Sequence, residues 1–162
     1  MPVEIIQPQE GYVRILGVGP VAPPTELPYT VTGGTTGTQP TFSGAPLFAG
    51  SYVRTGDLVH FRITVDFDNI TSFGTGQYYV SLPFPSKYDY QFASGALHDV
   101  STGINYPIFA DISPNSNQLF LESLDSQGNH TFQVDFTHNN PITLTTADSF
   151  HISGTYIMIE GD

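Results

Sequence analysis

The feature that most constrains the fold is a strict alternation of side chains in VHFRITVDF, residues 59–67. The odd positions are all apolar, namely Val59, Phe61, Ile63, Val65 and Phe67. The even positions are all polar, namely His60, Arg62, Thr64 and Asp66. Because successive side chains of a β-strand point to opposite faces, this pattern predicts a strand with one face in the core and the other at a polar surface.

Short apolar segments separated by turn residues recur along the chain. Clusters such as Thr55-Gly56-Asp57, Ser94-Gly95 and Asn139-Asn140-Pro141 mark the breaks. No window shows helical periodicity over three turns. Strands are predicted at Gly50–Arg54, Leu58–Phe67, Gln77–Leu82, Gln91–Leu97, Tyr106–Ile112, Gln118–Leu124, Thr131–Phe136 and Ser149–Ile159. This spacing predicts an all-β fold, a jelly-roll-like antiparallel β-sandwich with an extended N-terminal arm.

The arm is predicted because six of the thirteen prolines fall within residues 1–29. Proline cannot donate to a ladder, so only one short strand fits there, at Tyr12–Leu16. A disordered tail is the alternative, although the segment is rather apolar for one. We therefore divide the chain into an anchoring arm, 1–29, and a β-sandwich domain, 30–162. The residues expected to anchor the arm are Ile5, Ile6, Tyr12, Val13, Ile15 and Leu16.

The last predicted strand, Ser149–Ile159, carries apolar side chains on both faces. One face has Phe150, Ile152, Tyr156 and Met158, and the other has Ile157 and Ile159. Strands that are apolar on both faces are normally covered on both faces. We therefore expect a second cover over this strand, from a neighbouring subunit or from the arm.

The charge balance excludes several classes of partner. The formal net charge is −11, and only four Lys and Arg residues oppose fifteen carboxylates. Nucleic-acid binding depends on phosphate neutralisation, so we expect no nucleic-acid partner, and an anionic membrane surface is disfavoured in the same way. The N-terminus lacks the pattern of a secretion signal, and no segment approaches the roughly 18 apolar residues that cross a bilayer. We expect a soluble protein made in a cytoplasm.

The polar stripe from His60 to Asp66 is a candidate site. Side chains two residues apart on a strand are separated by about 7 Å, too far for one metal ion to join His60 to Asp66. Asp66 and Asp68 could together hold calcium, but the remaining positions of a calcium loop are missing. We therefore interpret the stripe as polar cover, and predict no metal and no cofactor.

Catalytic motifs are also missing from the sequence. The chain has no cysteine, no G-x-S-x-G elbow and no HExxH. Histidines and carboxylates are present, but a Ser-His-Asp arrangement cannot be deduced from sequence order. We predict that the protein is not an enzyme and has no catalytic residues.

Tyrosines concentrate in the middle of the chain, around the loop LPFPSKYDYQF, residues 82–92. Tyrosine has an apolar body and a polar tip, which suits wet interfaces and sugar-stacking surfaces. The loop either packs under the sheet or presents its tyrosines outward. The candidate glycan or partner contacts are Tyr88, Tyr90 and Tyr106.

Three phrases together resemble a known module. They are GSYVRTGDLVHFRITVDF (50–67), GTGQYYVSLPFP (74–85) and DSFHISGTYIMIE (148–160). The chain, over roughly residues 30–162, resembles the jelly-roll-like module at the ends of tail fibres, spikes and head appendages of tailed phages, especially phages of marine bacteria. That family has no catalytic motif to transfer, and its modules usually assemble as trimers.

The resemblance implies a non-enzymatic bacteriophage virion protein, located in the virion after synthesis in the host cytoplasm. Only about 29 residues precede the module, which favours a head decoration or cement protein, or a surface appendage, docked through the arm. The alternative is a receptor- or carbohydrate-binding module at a tail-fibre tip. The expected partners are sister chains in a homotrimer, other virion proteins such as the major capsid or tail proteins, and a host surface glycan.

Overall fold

Strands make up the regular structure of this protein. The computed structural model describes residues 24–88, 91–124 and 133–159, without the side chains of Gln91 and Gln133. Within those ranges there are twelve strands and no helix, so none of them supplies a helix that could cross a membrane. The strands are β1 (Leu27–Tyr29), β2 (Gly33–Thr35), β3 (Thr41–Phe42), β4 (Leu47–Thr55), β5 (Leu58–Asp66), β6 (Ile70–Ser72), β7 (Tyr78–Ser81), β8 (Gln91–Asp99), β9 (Ile104–Ile112), β10 (Gln118–Leu124), β11 (Gln133–Asp135) and β12 (Ser149–Ile157).

Ten of these strands form one antiparallel sheet. Its order is β1-β4-β5-β12-β8-β9-β10-β7-β2, and β11 pairs with β10 beside that path. Strands β3 and β6 form a separate antiparallel pair. Strand β12, the last in the described residues, inserts between β5 and β8 near the centre of the sheet. The all-β antiparallel prediction is confirmed.

The sheet is curled, because its two ends are consecutive in the chain. Strands β1 and β2 lie at opposite ends of the strand order, yet only residues 30–32 join them. Four residue steps span at most about 14 Å, so the two ends must lie close together. The Tyr29 hydroxyl donates to the Ser81 carbonyl at 3.0 Å, and the Thr32 N–H donates to the Ser81 Oγ at 2.8 Å. The two layers of the fold are therefore opposite walls of one curled sheet.

The inward faces of the strands form the core. All five odd-numbered apolar residues from Val59 to Phe67 are buried, each at most 2% exposed. Aromatic rings join opposite walls, with Phe67 and Tyr78 centroids 6.1 Å apart and Phe136 and Phe150 centroids 5.8 Å apart. Each large apolar side chain buried in this way contributes about 1.5–3 kcal/mol before conformational entropy is subtracted.

The eight predicted strands match eight of the twelve observed ones, and the prediction missed β1, β2, β3 and β6, which have at most three residues each. One predicted turn is wrong. Ser94-Gly95 is not a turn, because β8 runs unbroken from Gln91 to Asp99. Gly95 pairs with Ile152 on one side and with Ile108 on the other. A Cβ on Gly95 would collide with the backbone carbonyl of His151. The glycine is therefore used for close backbone approach inside a strand, the other meaning of glycine in such a pattern.

The expected second cover over the last strand stays a prediction, because its two proposed sources, a neighbouring subunit and the arm before residue 24, lie outside the described residues. Phe150, Ile152 and Tyr156 are buried, but the alternate residues are exposed, namely His151, Ser153 and Thr155. The outward positions are polar over this part of the strand, so a second cover there would contact polar side chains. The half-buried Ile157 lies at the end of β12.

The sheet begins at Leu27, three residues before the predicted domain boundary at residue 30. Leu27 pairs with Tyr52 of β4, so the last residues assigned to the arm belong to the sheet. The predicted strand Tyr12–Leu16 and the six anchoring residues lie outside the described residues.

Replacing Gly95 with alanine should destabilise the fold strongly. The added methyl group has no space against the β12 backbone, and overpacking of this kind costs typically about 1–3 kcal/mol or more. Urea unfolding of Gly95→Ala measures the loss. The exposed neighbour provides the control, since Ser94→Ala should change stability by less than about 0.5 kcal/mol. Equal stability of the two variants would contradict the close approach.

Candidate functional site

The polar stripe of β5 lies on the outer face of the curled sheet. His60, Arg62 and Thr64 are exposed, and Asp66 is half-buried at the end of the strand. His60 Nδ1 shares a hydrogen bond with the Thr155 hydroxyl across the β5–β12 pair, at 3.0 Å. Asp66 Oδ1 accepts the backbone N–H of Asp68 at 2.9 Å, which closes the turn after β5. The contacts of His60 and Asp66 are those of a polar sheet surface.

Arg62 lies between two shallow depressions in this outer face. One, of about 250 Å³, is lined by Glu26, Ser51, Arg62 and Thr64 among others. The other, of about 320 Å³, lies against β12 and includes His151 and Ser153. We call these six residues the Arg62 surface. Glu26 accepts the Ser51 hydroxyl at 2.5 Å, and within the described residues the Arg62 guanidinium has neither a hydrogen bond nor an ion pair.

A second surface lies on the outer faces of β7 to β11 and carries aromatic rings and carboxylates. Two aromatic pairs form there, with centroids 6.0 Å apart for Phe92–Phe109 and 5.9 Å apart for Tyr79–Phe120. Phe92 is 55% exposed. We call this the acid–aromatic surface, and its members are Tyr79, Phe92, Phe109, Asp111, Phe120, Glu122 and Asp135.

The carboxylates of the acid–aromatic surface are close neighbours. Glu122 lies directly opposite Asp135 in the β10–β11 pair. Asp111 lies diagonally across the β9–β10 pair, since Glu122 faces Phe109 and Phe120 faces Asp111. Partial burial raises the pKa of Glu122, and the charges of Asp111 and Asp135 raise it further. The folded protein therefore holds uncompensated negative charge at this position.

Sequence reasoning missed the acid–aromatic surface. Its residues come from five strands, and cross-strand register alone brings them together. The available signal was the pattern of outward positions, since F-A-D at 109–111 and F-L-E at 120–122 each place an aromatic and a carboxylate on one face. The tyrosine cluster was predicted as a contact site because its members lie close together in the sequence.

The structure separates the predicted tyrosine contacts. Tyr88 is 53% exposed, and Lys87 Nζ lies 5.6 Å from its ring centroid. Tyr106 is half-buried and packs against the core. Tyr106 pairs with Leu97 near one end of β8, whereas Tyr88 precedes the other end, about 20 Å away along the strand. Tyr90 lies outside the described residues.

The adjacent pair His98-Asp99 supports a turn. His98 Nδ1 shares a hydrogen bond with Asn105 at 3.0 Å. Asp99 accepts the Ser101 hydroxyl at 2.6 Å and the Thr102 hydroxyl at 2.7 Å. These bonds lower the pKa of Asp99. The two side chains point to opposite faces of β8 and brace the β8–β9 hairpin separately, so they do not form a dyad. In the part of the chain described here, no three His, Asp or Glu side chains are grouped to hold a metal ion.

The fold is shared with part of a phage protein. The crystal structure of the Dettilon tailspike protein is similar to this chain, with a TM-score of 0.53 and 17% sequence identity. The similarity covers 82% of this chain and 23% of the tailspike chain, so this chain corresponds to less than a quarter of the tailspike. No protein-family model and no curated protein sequence matches the chain.

Replacing Glu122 with glutamine should stabilise the protein at neutral pH. The pKa of Glu122 is raised because the folded state disfavours the ionised carboxylate. The contribution of this side chain to the free energy of unfolding is therefore most favourable below the unfolded pKa of about 4.3, and it is lost as the pH rises through the folded pKa. We expect Glu122→Gln to gain a few tenths to about 1 kcal/mol at pH 7, the size of one cross-strand pair. Thermal unfolding of the variant and of the unmodified protein, at pH 7 and near pH 4, measures this gain in stability.

The gain from Glu122→Gln should disappear at the lower pH, because glutamic acid is then neutral as well. The control is Asp68→Asn, which removes one exposed charge away from the acid–aromatic surface. An equal gain from both variants would indicate general charge relief and contradict a specific effect of the neighbouring carboxylates.

Proposed function

We propose that this chain is a non-enzymatic structural module of a bacteriophage particle, located in a tail appendage. The observation that carries the proposal is the fold shared with part of the Dettilon tailspike protein over 82% of this chain. The phrases that resemble phage modules lie mainly on β4, β5, β7 and β12. Sequence phrases and fold therefore point independently to the same class of protein.

The construction of the sheet suits a structural module. Its ends are held together through the hydrogen bonds to Ser81, and its interior is filled with apolar side chains. The depressions beside Arg62 are shallow and open rather than enclosed clefts. Such a surface supports contact with a partner better than it supports chemistry that needs water excluded.

The tailspike similarity favours a place in the tail over a head decoration or cement role. In either position, we propose that residues 1–29 dock the module on the particle. An acidic surface that contains few lysines would keep the exposed domain soluble.

The location can be tested on phage particles that carry the tagged protein. We expect immunogold label on tails, and label on head shells would contradict the tail assignment. Deleting residues 2–20 should abolish incorporation while the β domain stays folded, because the deletion leaves β1 intact. The matched control alters the domain surface instead, with Leu47→Ala. Full incorporation of the deleted chain would remove the anchoring role of the arm.

A second candidate function is the binding of a host surface glycan. The observation that favours it is Tyr88, whose exposed ring lies beside Lys87. Aromatic faces and a neighbouring cation suit the apolar face and hydroxyl groups of a sugar. This candidate uses the same appendage location, since receptor contact occurs at the outside of a particle.

Binding to a glycan array tests whether the protein recognises a host surface glycan. We expect Tyr88→Ala and Tyr90→Ala each to lose most of any signal, because a stacking surface is removed. Leu47→Ala is the control, since Leu47 is comparably exposed at 47% but is not aromatic. No signal with the unmodified protein, or equal loss in the control, would count against glycan binding.

A further inference from the structure

We propose that the acid–aromatic surface of one copy of this chain docks on the Arg62 surface of a second copy. This inference goes beyond the proposed function and beyond the homotrimer that the family resemblance implies, because it names the two surfaces that meet. It rests on charge and shape that complement each other between two separate surfaces of the same molecule.

The first step of the argument is the unbalanced charge of the acid–aromatic surface. Asp111, Glu122 and Asp135 lie on neighbouring strands, and no Lys or Arg occurs in β7 to β11. Like charges placed across a sheet destabilise it unless something compensates them. The exposed ring of Phe92 adds apolar area that water covers poorly. The natural occupant of such a surface is a cation beside polar and apolar contacts.

The second step is the state of the cations. Arg54 already has contacts within the chain, since its Nε donates to the Gly56 carbonyl at 2.7 Å and its guanidinium lies 5.7 Å from the Phe84 ring centroid. Lys87 lies against Tyr88. Among the described residues, Arg62 is the cation left without such a contact. Guanidinium groups both pair with carboxylates and stack on aromatic rings, which are the two groups that the acid–aromatic surface offers.

The third step is shape. Arg62 stands between depressions of about 250 and 320 Å³. The exposed ring of Phe92 can enter one depression while a carboxylate meets the guanidinium. Hydroxyls from Ser51, Thr64 and Ser153 can hydrogen-bond the remaining carboxylate oxygens. The smaller depression is lined by the carboxylate of Glu26, which already accepts the Ser51 hydroxyl. The carboxylates of the second copy are therefore expected to bind in the larger depression, against β12.

The fourth step is that both surfaces can be occupied at once. Register places Arg62, Ser153, Ser94, Phe109 and Glu122 in one row across five strands. Four strand spacings separate Arg62 from Glu122, about 19 Å along the curled sheet. Because the contact joins unlike surfaces, its repetition closes into a ring or extends as a filament. The homotrimer implied by the family resemblance would be one such ring.

Charge reversal tests the contact in the full-length chain. Arg62→Glu places acid against acid, and Glu122→Arg places base against base, so each should weaken self-association by at least about tenfold. The double variant Arg62→Glu/Glu122→Arg restores opposite charges in reversed order and should recover association. Sedimentation velocity over a concentration series, at low and high salt, measures the oligomeric state.

Matched controls separate the contact from general charge effects. Asp68→Arg reverses one exposed acid outside both surfaces and should leave association unchanged, and thermal unfolding confirms that each variant is folded. A chain that is monomeric at every concentration would overturn the proposal. So would a folded double variant that fails to recover. If the chain is monomeric at every concentration and Glu122→Arg still loses incorporation into particles, self-docking is excluded. The acid–aromatic surface would then bind a different, cationic protein of the particle.

Discussion

The closure of the sheet is the constraint on which the rest of this structure depends. Alternating strands supply apolar stripes, but a flat sheet of ten strands would leave one whole apolar face in water. The short link between β1 and β2 forces the two ends together, and the inward stripes then bury one another. The ring of Phe67 meets Tyr78, and the ring of Phe136 meets Phe150, across the interior because of that curl.

Closure also determines what the outside of the molecule can do. Once every inward position is committed to the core, partner contacts must use the outward positions of the same strands. Those positions differ along the sheet, with hydroxyl groups and a cation on β4, β5 and β12 and with rings and carboxylates on β7 to β11. The chain thus presents two chemically different surfaces on the outside of one curled sheet.

Several features were predictable from local pattern, and others were not. The β5 stripe was clear because strict alternation over nine residues matches the two-residue period of a strand and not the period of a helix. Gly95 was misjudged because glycine marks turns and close backbone approach alike, and its collision partner, His151, is distant in sequence. The outward face of β12 changes along the strand, because positions 151, 153 and 155 are polar and exposed whereas Ile157 and Ile159 are apolar and half-buried.

The sequence by itself determined the long strands, the inward stripes and the acidic character of the chain, because these follow from side-chain period and charge count. Tertiary structure alone decided which outward residues become neighbours. Glu122, Asp111 and Asp135 meet only through the register of three strands, and Arg62 gains its depressions only through β4 and β12. Register depends on long-range pairing, and local sequence carries little information about such pairing.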